Sequence, residues 1–246
     1  MVYGVPYCGT PPIPGALIGR FNTDPLLICT LFLIFLLHAR SVRADRQRLS
    51  MAFAGWAVAA AAFLSPLCAL SVALFSARVG QHMILLLVAA PLIASAFPAR
   101  RESPGQLWPA TTAFLIALWF WHMPAPYAAT FRSTALYWTM HLTLFGSAIW
   151  LWSTLLAHPP RRAGAALAAG TLTSIQMGLL GAVLTLSNHA FFAPHYLTTS
   201  AWGLTPIGDQ QLGGVLMWVP GCFFFLLIGL RSVAMLWRTL EPARAA

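Results

Sequence analysis

The sequence predicts an all-α polytopic membrane protein, a bundle of about seven transmembrane helices, and three observations carry this prediction. Of its 246 residues, 59% are hydrophobic and only 8% are charged, too few charges to solvate a soluble domain of this size. The apolar residues form long runs, and a bilayer-spanning helix needs about 20 of them. All 14 basic residues are arginines, spread over the segments between these runs. That distribution is typical of membrane topology and not of a nucleic-acid-binding surface.

Seven apolar runs are candidate spans, and together they place a single transmembrane domain at residues 24–238. Residues 1–23 are rich in proline and glycine and lack the basic start and apolar core of a signal peptide. We expect this segment to lie at the outer membrane face and residues 239–246 to form a short cytoplasmic tail. The predicted spans are Asp24–Ala39, Ser50–Leu70, Val79–Pro98, Trp108–His122, Thr134–Leu156, Ala163–Ser187 and Gln211–Trp237, of which the first and fourth are the shortest.

The arginines predict the orientation of the bundle. Eleven of them lie after the first, third and fifth runs or in the end of the seventh run and the tail, whereas Arg20, Arg78 and Arg132 lie on the opposite side. Because basic residues accumulate on the cytoplasmic side, this split predicts an outside amino terminus and a cytoplasmic carboxyl terminus. The eleven are Arg40, Arg43, Arg46, Arg48, Arg100, Arg101, Arg161, Arg162, Arg231, Arg238 and Arg244.

The four cysteines are far apart in the sequence and form no Cys-x-x-Cys motif, so they indicate neither a zinc ribbon nor a redox motif of that kind. Cys8 and Cys68 are both predicted near the outer face. A disulfide between them is one interpretation. The other is that all four cysteines are small buried hydrophobic residues.

Histidines are concentrated on the predicted outer side, where five of the seven lie. Three of these five are next to a methionine, in the pairs His82–Met83, His122–Met123 and Met140–His141. Ionisable groups within spans are costly and are therefore candidates for function. Imidazole and thioether together suit copper, particularly Cu(I). The alternative interpretation is that the histidines hydrogen-bond to nearby backbone and the methionines fill apolar space.

No helix carries a His-x-x-x-His pair, so a metal site has to be assembled between helices. The short connection from Met123 to Ser133 makes the fourth and fifth spans antiparallel neighbours. We therefore predict that His82, His122 and His141 converge in a partly wet outer vestibule and bind a metal ion. Met83, Met123 and Met140 are candidate soft ligands. Asp209, Gln210 and Arg78 are predicted to surround the ligands, with Asp209 orienting an imidazole or offsetting the charge of Arg78.

Four stretches of the sequence resemble the multispan CtaG-like (caa3-type) family of cytochrome c oxidase assembly factors. They are "QHMILLLVAAPL" (Gln81–Leu92), "WHMPAPY" (Trp121–Tyr127), "HLTLFGSAIWLW" (His141–Trp152) and "DQQLGGVLMW" (Asp209–Trp218). The resemblance runs from about Pro25 to Trp237. It implies a chaperone, not an enzyme, that acts on the copper side of haem–copper oxidase maturation at the outer face of the bacterial inner (plasma) membrane. Copper is then the implied cofactor and an oxidase subunit the implied partner.

The family positions that match are those of His82, His122, His141, Asp209 and Gln210. The family often carries His-Met-x-x-His at the start of the third span, ending at the position of His82. This chain has Arg78 and Val79 instead of the first pair, which removes a candidate ligand and adds a positive charge that repels a cation.

Two functions of other classes stay open from the sequence. A haem-binding membrane electron carrier needs two histidines on facing helices with a haem-sized gap. A small-solute or metal transporter needs a polar path to the cytoplasmic side, where the sequence offers little beyond Ser174, Gln176, Thr185 and Arg231. No paired carboxylates or Ser–His–Asp grouping indicate hydrolysis, and no basic stripe indicates a nucleic-acid partner.

Overall fold

A computed structural model describes residues 5–97, 105–157 and 159–244, and the regular secondary structure of these residues is helical, without strands. The prediction of an all-α bundle is therefore confirmed. The described residues form nine helices: α1 (Pro25–Val42), α2 (Arg46–Leu64), α3 (Leu67–Ala73), α4 (Phe75–Ala96), α5 (Leu107–Trp121), α6 (Pro124–Ala129), α7 (Thr134–Ala157), α8 (Ala163–Leu186) and α9 (Pro206–Arg244).

Six of these helices, α1, α2, α4, α7, α8 and α9, are long and apolar enough to cross a membrane. The predicted fourth span corresponds to α5, which is apolar but has only 15 residues. At 1.5 Å per residue it is about 22 Å long, shorter than the roughly 30 Å hydrocarbon core of a bilayer. Within the described ranges there are therefore six helices of spanning length and one shorter apolar helix where the sequence predicted seven spans.

Five predicted boundaries are wrong by four residues or more. Helix α2 begins earlier than predicted, at Arg46, and α9 extends beyond both predicted ends, from Pro206 to Arg244. The other two errors flank α3. The second span was expected to continue to Leu70, but α2 ends at Leu64 because Ser65 is extended (ψ 171°), as favoured before a proline. The short helix α3 then occupies the predicted end of that span. The third span begins at Phe75, four residues before the predicted start. Its predicted end at Pro98, and the following Arg100 and Arg101, lie outside the described residues.

Helix α4 is the centre of the bundle, with 67% of its most apolar stretch buried, against 17% for α1. It packs against α2, α7 and α9. Helix α5 packs against α7 and α8, and α8 packs along α9, so that α4, α7, α5, α8 and α9 form a closed ring. Helix α2 lies on the outside of this ring, and α1 packs mainly on α2.

Glycines bring α8 and α9 into close backbone contact. A Cβ atom on Gly181 would lie 2.8 Å from the Cβ of Trp218, and one on Gly214 would lie 2.6 Å from the carbonyl oxygen of Gly181. Both distances are too short for real side chains, so these positions require glycine. Small residues at such contacts let transmembrane helices approach closely, which strengthens their dispersion contacts in lipid.

Helix α4 changes to a π-helical segment, Ile84–Ala89, directly after His82 and Met83. In this segment the Ala90 N–H bonds to the carbonyl of Leu85 and not to that of Leu86. The Leu86 carbonyl instead accepts a hydrogen bond from the indole N–H of Trp152 in α7, at 2.7 Å. Such π-bulges occur frequently at functional sites. The irregularity therefore ties α4 to α7 just below His82.

Candidate metal centre

The structure brings His82, His122 and His141 together from three different helical segments. The ring centroid of His82 lies 5.5 Å from that of His122 and 5.2 Å from that of His141. His82 is the seventh residue after the start of α4, and His141 is the seventh after the start of α7. Both therefore lie about 10 Å along their helices. The predicted convergence of the three imidazoles is confirmed, and we refer to them as the three-histidine cluster.

The position of His122 explains the shortness of α5. It is the residue that follows α5, and its ring lies at the depth of His82. Helix α5 therefore ends inside the bundle, about 10 Å before the level at which α4 and α7 begin. The short helix α6 (Pro124–Ala129) leads the chain from there to the start of α7.

Backbone carbonyls fix two of the three rings. The Nδ1 atom of His122 lies 2.7 Å from the carbonyl oxygen of Leu118, and Nδ1 of His141 lies 3.0 Å from that of Tyr137. Because a carbonyl only accepts hydrogen bonds, Nδ1 carries the proton in both rings. Each Nε2 atom then keeps its lone pair, which is the arrangement that metal-binding histidines commonly have.

The remaining imidazole nitrogens have no hydrogen-bond partner among the described residues. These are Nε2 of His122, Nε2 of His141 and both nitrogens of His82. The three residues are only 1–3% exposed. Leaving a buried polar group unpaired costs about 1–3 kcal/mol, so a group of such atoms calls for a specific explanation, one of which is an ion.

The spacing of His82 from each of the other two rings fits a shared metal ion. Imidazole–metal bonds are about 2 Å long, which puts a ring centroid about 3 Å from the ion and two such centroids within about 6 Å of each other. The rings are T-shaped to one another, at interplanar angles of 86° and 72°. In this arrangement, no group of three or more His, Cys, Asp or Glu side chains in the described part of the chain is placed to hold an ion. Metal binding requires the rings to rotate and stays a prediction.

The expected wet vestibule is wrong, because aromatic side chains enclose the cluster. The ring centroid of His141 lies 4.3 Å from that of Tyr137, 5.2 Å from that of Phe63 and 6.1 Å from that of Trp138. The side chain of His141 is 2% exposed. The site is therefore closed to water in this conformation.

The three candidate methionine ligands differ in burial. Met140 is fully buried and Met83 is 5% exposed, whereas Met123 is 49% exposed. Met123 therefore lies at the surface and not among the buried rings. Met83 follows His82 in α4, and Met140 precedes His141 in α7. Consecutive helical residues point in directions about 100° apart, so each methionine side chain leaves its helix in a different direction from the neighbouring histidine.

Asp209 does not contact the cluster. Its carboxylate accepts hydrogen bonds from the N–H of Phe75 at 2.7 Å, from the N–H of Ser76 at 3.1 Å and from the Ser76 hydroxyl. It thus caps the amino end of α4, where a negative charge is stabilised by the helix dipole. The prediction that Asp209 orients an imidazole is corrected: backbone carbonyls do so. Asp209 instead fixes the start of the helix that carries His82.

Gln210 likewise lies away from the imidazoles. Its amide nitrogen donates to the carbonyls of His189 at 3.0 Å and Leu184 at 3.3 Å, and its oxygen accepts from the N–H of Phe191 at 2.7 Å. These bonds hold the connection between α8 and α9. Gln210 is therefore a scaffold residue and not part of the surroundings of the cluster.

Arg78 is buried, at 1% exposure, one helical turn before His82. Its guanidinium donates to the Thr130 hydroxyl at 2.8 Å and lies 4.2 Å from the ring centroid of Phe131. No salt bridge joins it to Asp209, so the predicted offsetting of its charge by that residue is not seen. The charge is stabilised by aromatic faces instead.

Sequence reasoning did not single out the contact between His195 and Tyr127, which lies beside Arg78. The Tyr127 hydroxyl and Nε2 of His195 are 2.6 Å apart, and both side chains are buried. Burial, with a smaller contribution from the charge of Arg78, lowers the pKa of His195 to about 3. His195 is therefore neutral. It lies in an irregular connection, for which hydrophobic periodicity gives no signal.

The structure contains the Cys8–Cys68 disulfide that the sequence left open, whereas Cys29 and Cys222 are free. The disulfide attaches the amino-terminal segment to α3. The Tyr137 hydroxyl lies 3.4 Å from the sulfur of Cys8 and 3.8 Å from that of Cys68. One aromatic side chain thus separates the disulfide from His141.

The fold and the cluster define a polytopic helical membrane protein with buried, unpaired imidazoles enclosed between its helices. The chain matches the family described as cytochrome c oxidase caa3 assembly factor (Caa3_CtaG) over residues 30–108 and 103–239, and it belongs to that family. The matched residues include the whole cluster but not Cys8. Comparisons with curated proteins and with solved structures gave no significant match.

Proposed function

We propose that this cytochrome c oxidase assembly factor binds copper at His82, His122 and His141 and presents it to a haem–copper oxidase subunit. The observation that carries the proposal is the set of buried, unpartnered imidazole nitrogens within one compact cluster. The ion would pass to the oxidase by ligand exchange at the outer face of the bacterial inner membrane. No covalent chemistry is involved, so the protein is not an enzyme in this proposal.

The charges around the cluster favour Cu(I) over a divalent ion. No carboxylate is hydrogen-bonded to the described rings, and the nearest buried charge on α4 is the positive Arg78. Coulomb repulsion scales with the charge of the ion, so Arg78 disfavours a monovalent ion half as much as a divalent one. Imidazole ligands suit copper. The same repulsion weakens retention, which suits a protein that passes its ion on.

The ring spacing also favours a single ion over a haem. Two axial imidazoles of one haem lie on opposite faces of the macrocycle, with their centroids about 6 Å apart and the haem plane between them. The cluster centroids are 5.2 and 5.5 Å apart, with T-shaped ring contacts and no intervening layer. A haem therefore does not fit between these rings.

The test is deletion of the gene in copper-limited medium, followed by complementation. We expect deletion to lower assembled terminal-oxidase activity and the copper content of the purified oxidase while oxidase transcripts are unchanged. Wild-type protein restores both, and so does the control variant Met123→Leu, whereas His141→Ala does not. Unchanged oxidase activity after deletion would contradict the proposal.

The proposal requires the cluster to face the outside. Two features support this orientation: the eleven-to-three split of arginines and the Cys8–Cys68 disulfide at the cluster end, since disulfides persist in oxidising compartments. An alkaline phosphatase reporter fused after Ala246 should be inactive, and one inserted after Thr198 should be active. The reverse pattern would place the cluster on the cytoplasmic side and end the proposal.

A further inference from the structure

The cluster is closed on its outer side, so an ion needs a way in. The three imidazoles are 1–3% exposed, and the ring of Tyr137 covers His141. The sulfurs of Cys8 and Cys68 lie at the hydroxyl end of Tyr137. Moving outward from His141, the next groups able to bind a soft metal ion are therefore these two sulfurs.

The same sulfur pair borders an open cavity of about 470 Å³ at the surface of the protein. Its lining includes both cysteines together with Tyr7, Arg20, Asn22 and Asp24. The pair thus lies between this cavity and the aromatic cover of the cluster. A ligand that enters the cavity meets the sulfurs before it meets an imidazole.

We propose that Cys8 and Cys68, once reduced, form a Cu(I) entry site that precedes the three-histidine cluster, an inference that rests on the proposed copper function. Thiolates are soft ligands and select Cu(I). Metal–thiolate bonds are slightly over 2 Å long, so two sulfurs on one ion lie about 4–5 Å apart. The two Cα atoms are 5.5 Å apart, a spacing that side-chain rotation converts from a disulfide to a two-sulfur site.

The amino-terminal segment is held in place by more than its disulfide. The Tyr7 hydroxyl donates to the carboxylate of Asp24, and the indole N–H of Trp202 donates to the carbonyl of Pro12 at 3.1 Å. The N–H of Asn22 donates to the carbonyl of Leu64 at 2.9 Å. None of these bonds involves a sulfur atom, so we expect them to hold Cys8 beside Cys68 after reduction.

Opening the site is a two-electron exchange with a dithiol reductant of the outer compartment. A thiolate of the reductant attacks the sulfur of Cys8, which is partly exposed, and the sulfur of Cys68, which is 1% exposed, leaves. The second thiol of the reductant then resolves the mixed disulfide. The reductant ends as a disulfide, and Cys8 and Cys68 gain two electrons and two protons. Cu(I) binding displaces the two protons and leaves the ion monovalent.

The experiment uses the full chain in lipid nanodiscs, in a Cys29→Ser/Cys222→Ser background so that only the pair carries thiols. After reduction and removal of the reductant, Cu(I) is added without oxygen and maleimide labelling of the pair is timed. We expect bound Cu(I) to slow labelling by about tenfold or more, because a coordinated thiolate is a poor nucleophile. X-ray absorption at the copper edge should then show sulfur ligands. Equal labelling rates with and without Cu(I), or nitrogen ligands alone, would overturn the entry site and leave a purely structural disulfide.

A variant lacking all three imidazoles separates this inference from the proposed function. In His82→Ala/His122→Ala/His141→Ala, the entry site predicts unchanged protection of the thiols by Cu(I), together with loss of copper on challenge with a chelator. Protection with no difference in copper retention between this variant and wild type would refute the histidine site alone. If Cu(I) does not protect the thiols of the reduced wild-type protein from maleimide, the entry site is refuted. This outcome does not depend on whether the triple variant folds.

Discussion

The three-histidine cluster and the Asp209–Gln210 pair are equally buried, yet their polar atoms differ in hydrogen bonding. Exposure is 1–3% in the cluster and 0–1% in the pair. Every side-chain oxygen and nitrogen of the pair has a partner, whereas four imidazole nitrogens of the cluster have none among the described residues. Both sets belong to the motifs that resemble the same family. Between these two regions, hydrogen-bond satisfaction distinguishes the scaffold residues from the candidate ligands, whereas burial and motif do not.

The comparison assigns different consequences to substitution in the two regions. Removing a satisfied group leaves its former partners unpaired and destabilises the fold. Replacing a cluster histidine removes unpaired nitrogens and, in His122 and His141, one Nδ1–H bond to a helix carbonyl, which contributes only about 1 kcal/mol. Scaffold substitutions should therefore change stability, and cluster substitutions should change copper binding.

The largest effect is expected from His122→Leu and His141→Leu, which keep apolar volume in the core. Each substitution removes an Nε2 atom that is a proposed copper ligand. Losing a residue that merely hydrogen-bonds to a metal ligand lowers metal affinity by up to about 100-fold, so losing a ligand should lower Cu(I) retention by about 100-fold or more. The measurement is competition with a Cu(I) chelator on purified protein. Without copper, the free energy of unfolding of each variant should be lower than that of wild type by no more than about 1.5 kcal/mol, as for other volume-conserving core changes.

The contrary result is equally specific. If both variants hold copper as tightly as the wild type, the imidazoles are not ligands, and their unpaired nitrogens need another explanation. In that case the two buried regions differ in hydrogen bonding without differing in function.

An intermediate effect is expected from Asp209→Ala, and on stability rather than on copper. It leaves two backbone N–H groups and one hydroxyl at the start of α4 without acceptors, which should cost about 3 kcal/mol. Denaturant or thermal unfolding in detergent measures the loss. Copper bound per folded molecule should match wild type.

Asp209→Asn is the matched control for this position. It keeps an acceptor oxygen but loses the charge at the helix end, so its loss of stability should be smaller. If Asp209→Ala is as stable as wild type but fails to hold copper, Asp209 belongs to the copper site and not to the scaffold. The proposed difference between the cluster and the Asp209–Gln210 pair would then be wrong.

The sequence was sufficient to predict the helical bundle and the meeting of the three histidines. Long apolar runs identified the spans, and the short Met123–Ser133 connection made α5 and α7 neighbours. The depth of His82 in the bundle was harder to predict from the sequence. His82 lies a full turn deeper than predicted because α4 begins at Phe75, where its cap comes from Asp209, 134 residues away. Local patterns carry no information about such long-range caps.

The closure of the site was also beyond sequence reasoning, for the same reason. The cover of the cluster combines Tyr137 on α7 with Phe63 on α2, and the segment above it is joined through cysteines 60 residues apart. From the sequence alone, these aromatic residues are equally consistent with a belt at the membrane–water interface. Only the packing of the helices shows that these aromatic side chains enclose imidazoles.

The smallest effects are expected at the methionines, which belong to neither the satisfied nor the unsatisfied group. Met140 is fully buried beside His141 in sequence, but the helix turns about 100° per residue, so the two side chains leave α7 in different directions. Met140→Leu nearly conserves volume and should cost less than about 1.5 kcal/mol. Met123 is 49% exposed, and Met123→Leu should change stability by less than about 0.5 kcal/mol. Chelator competition should give both variants the Cu(I) retention of wild type, because in the proposed site the three imidazoles supply the ligands. A selective loss of retention in Met140→Leu, with Met123→Leu unchanged, would add a thioether to the ligand set and show that the unpaired nitrogens are only part of the site.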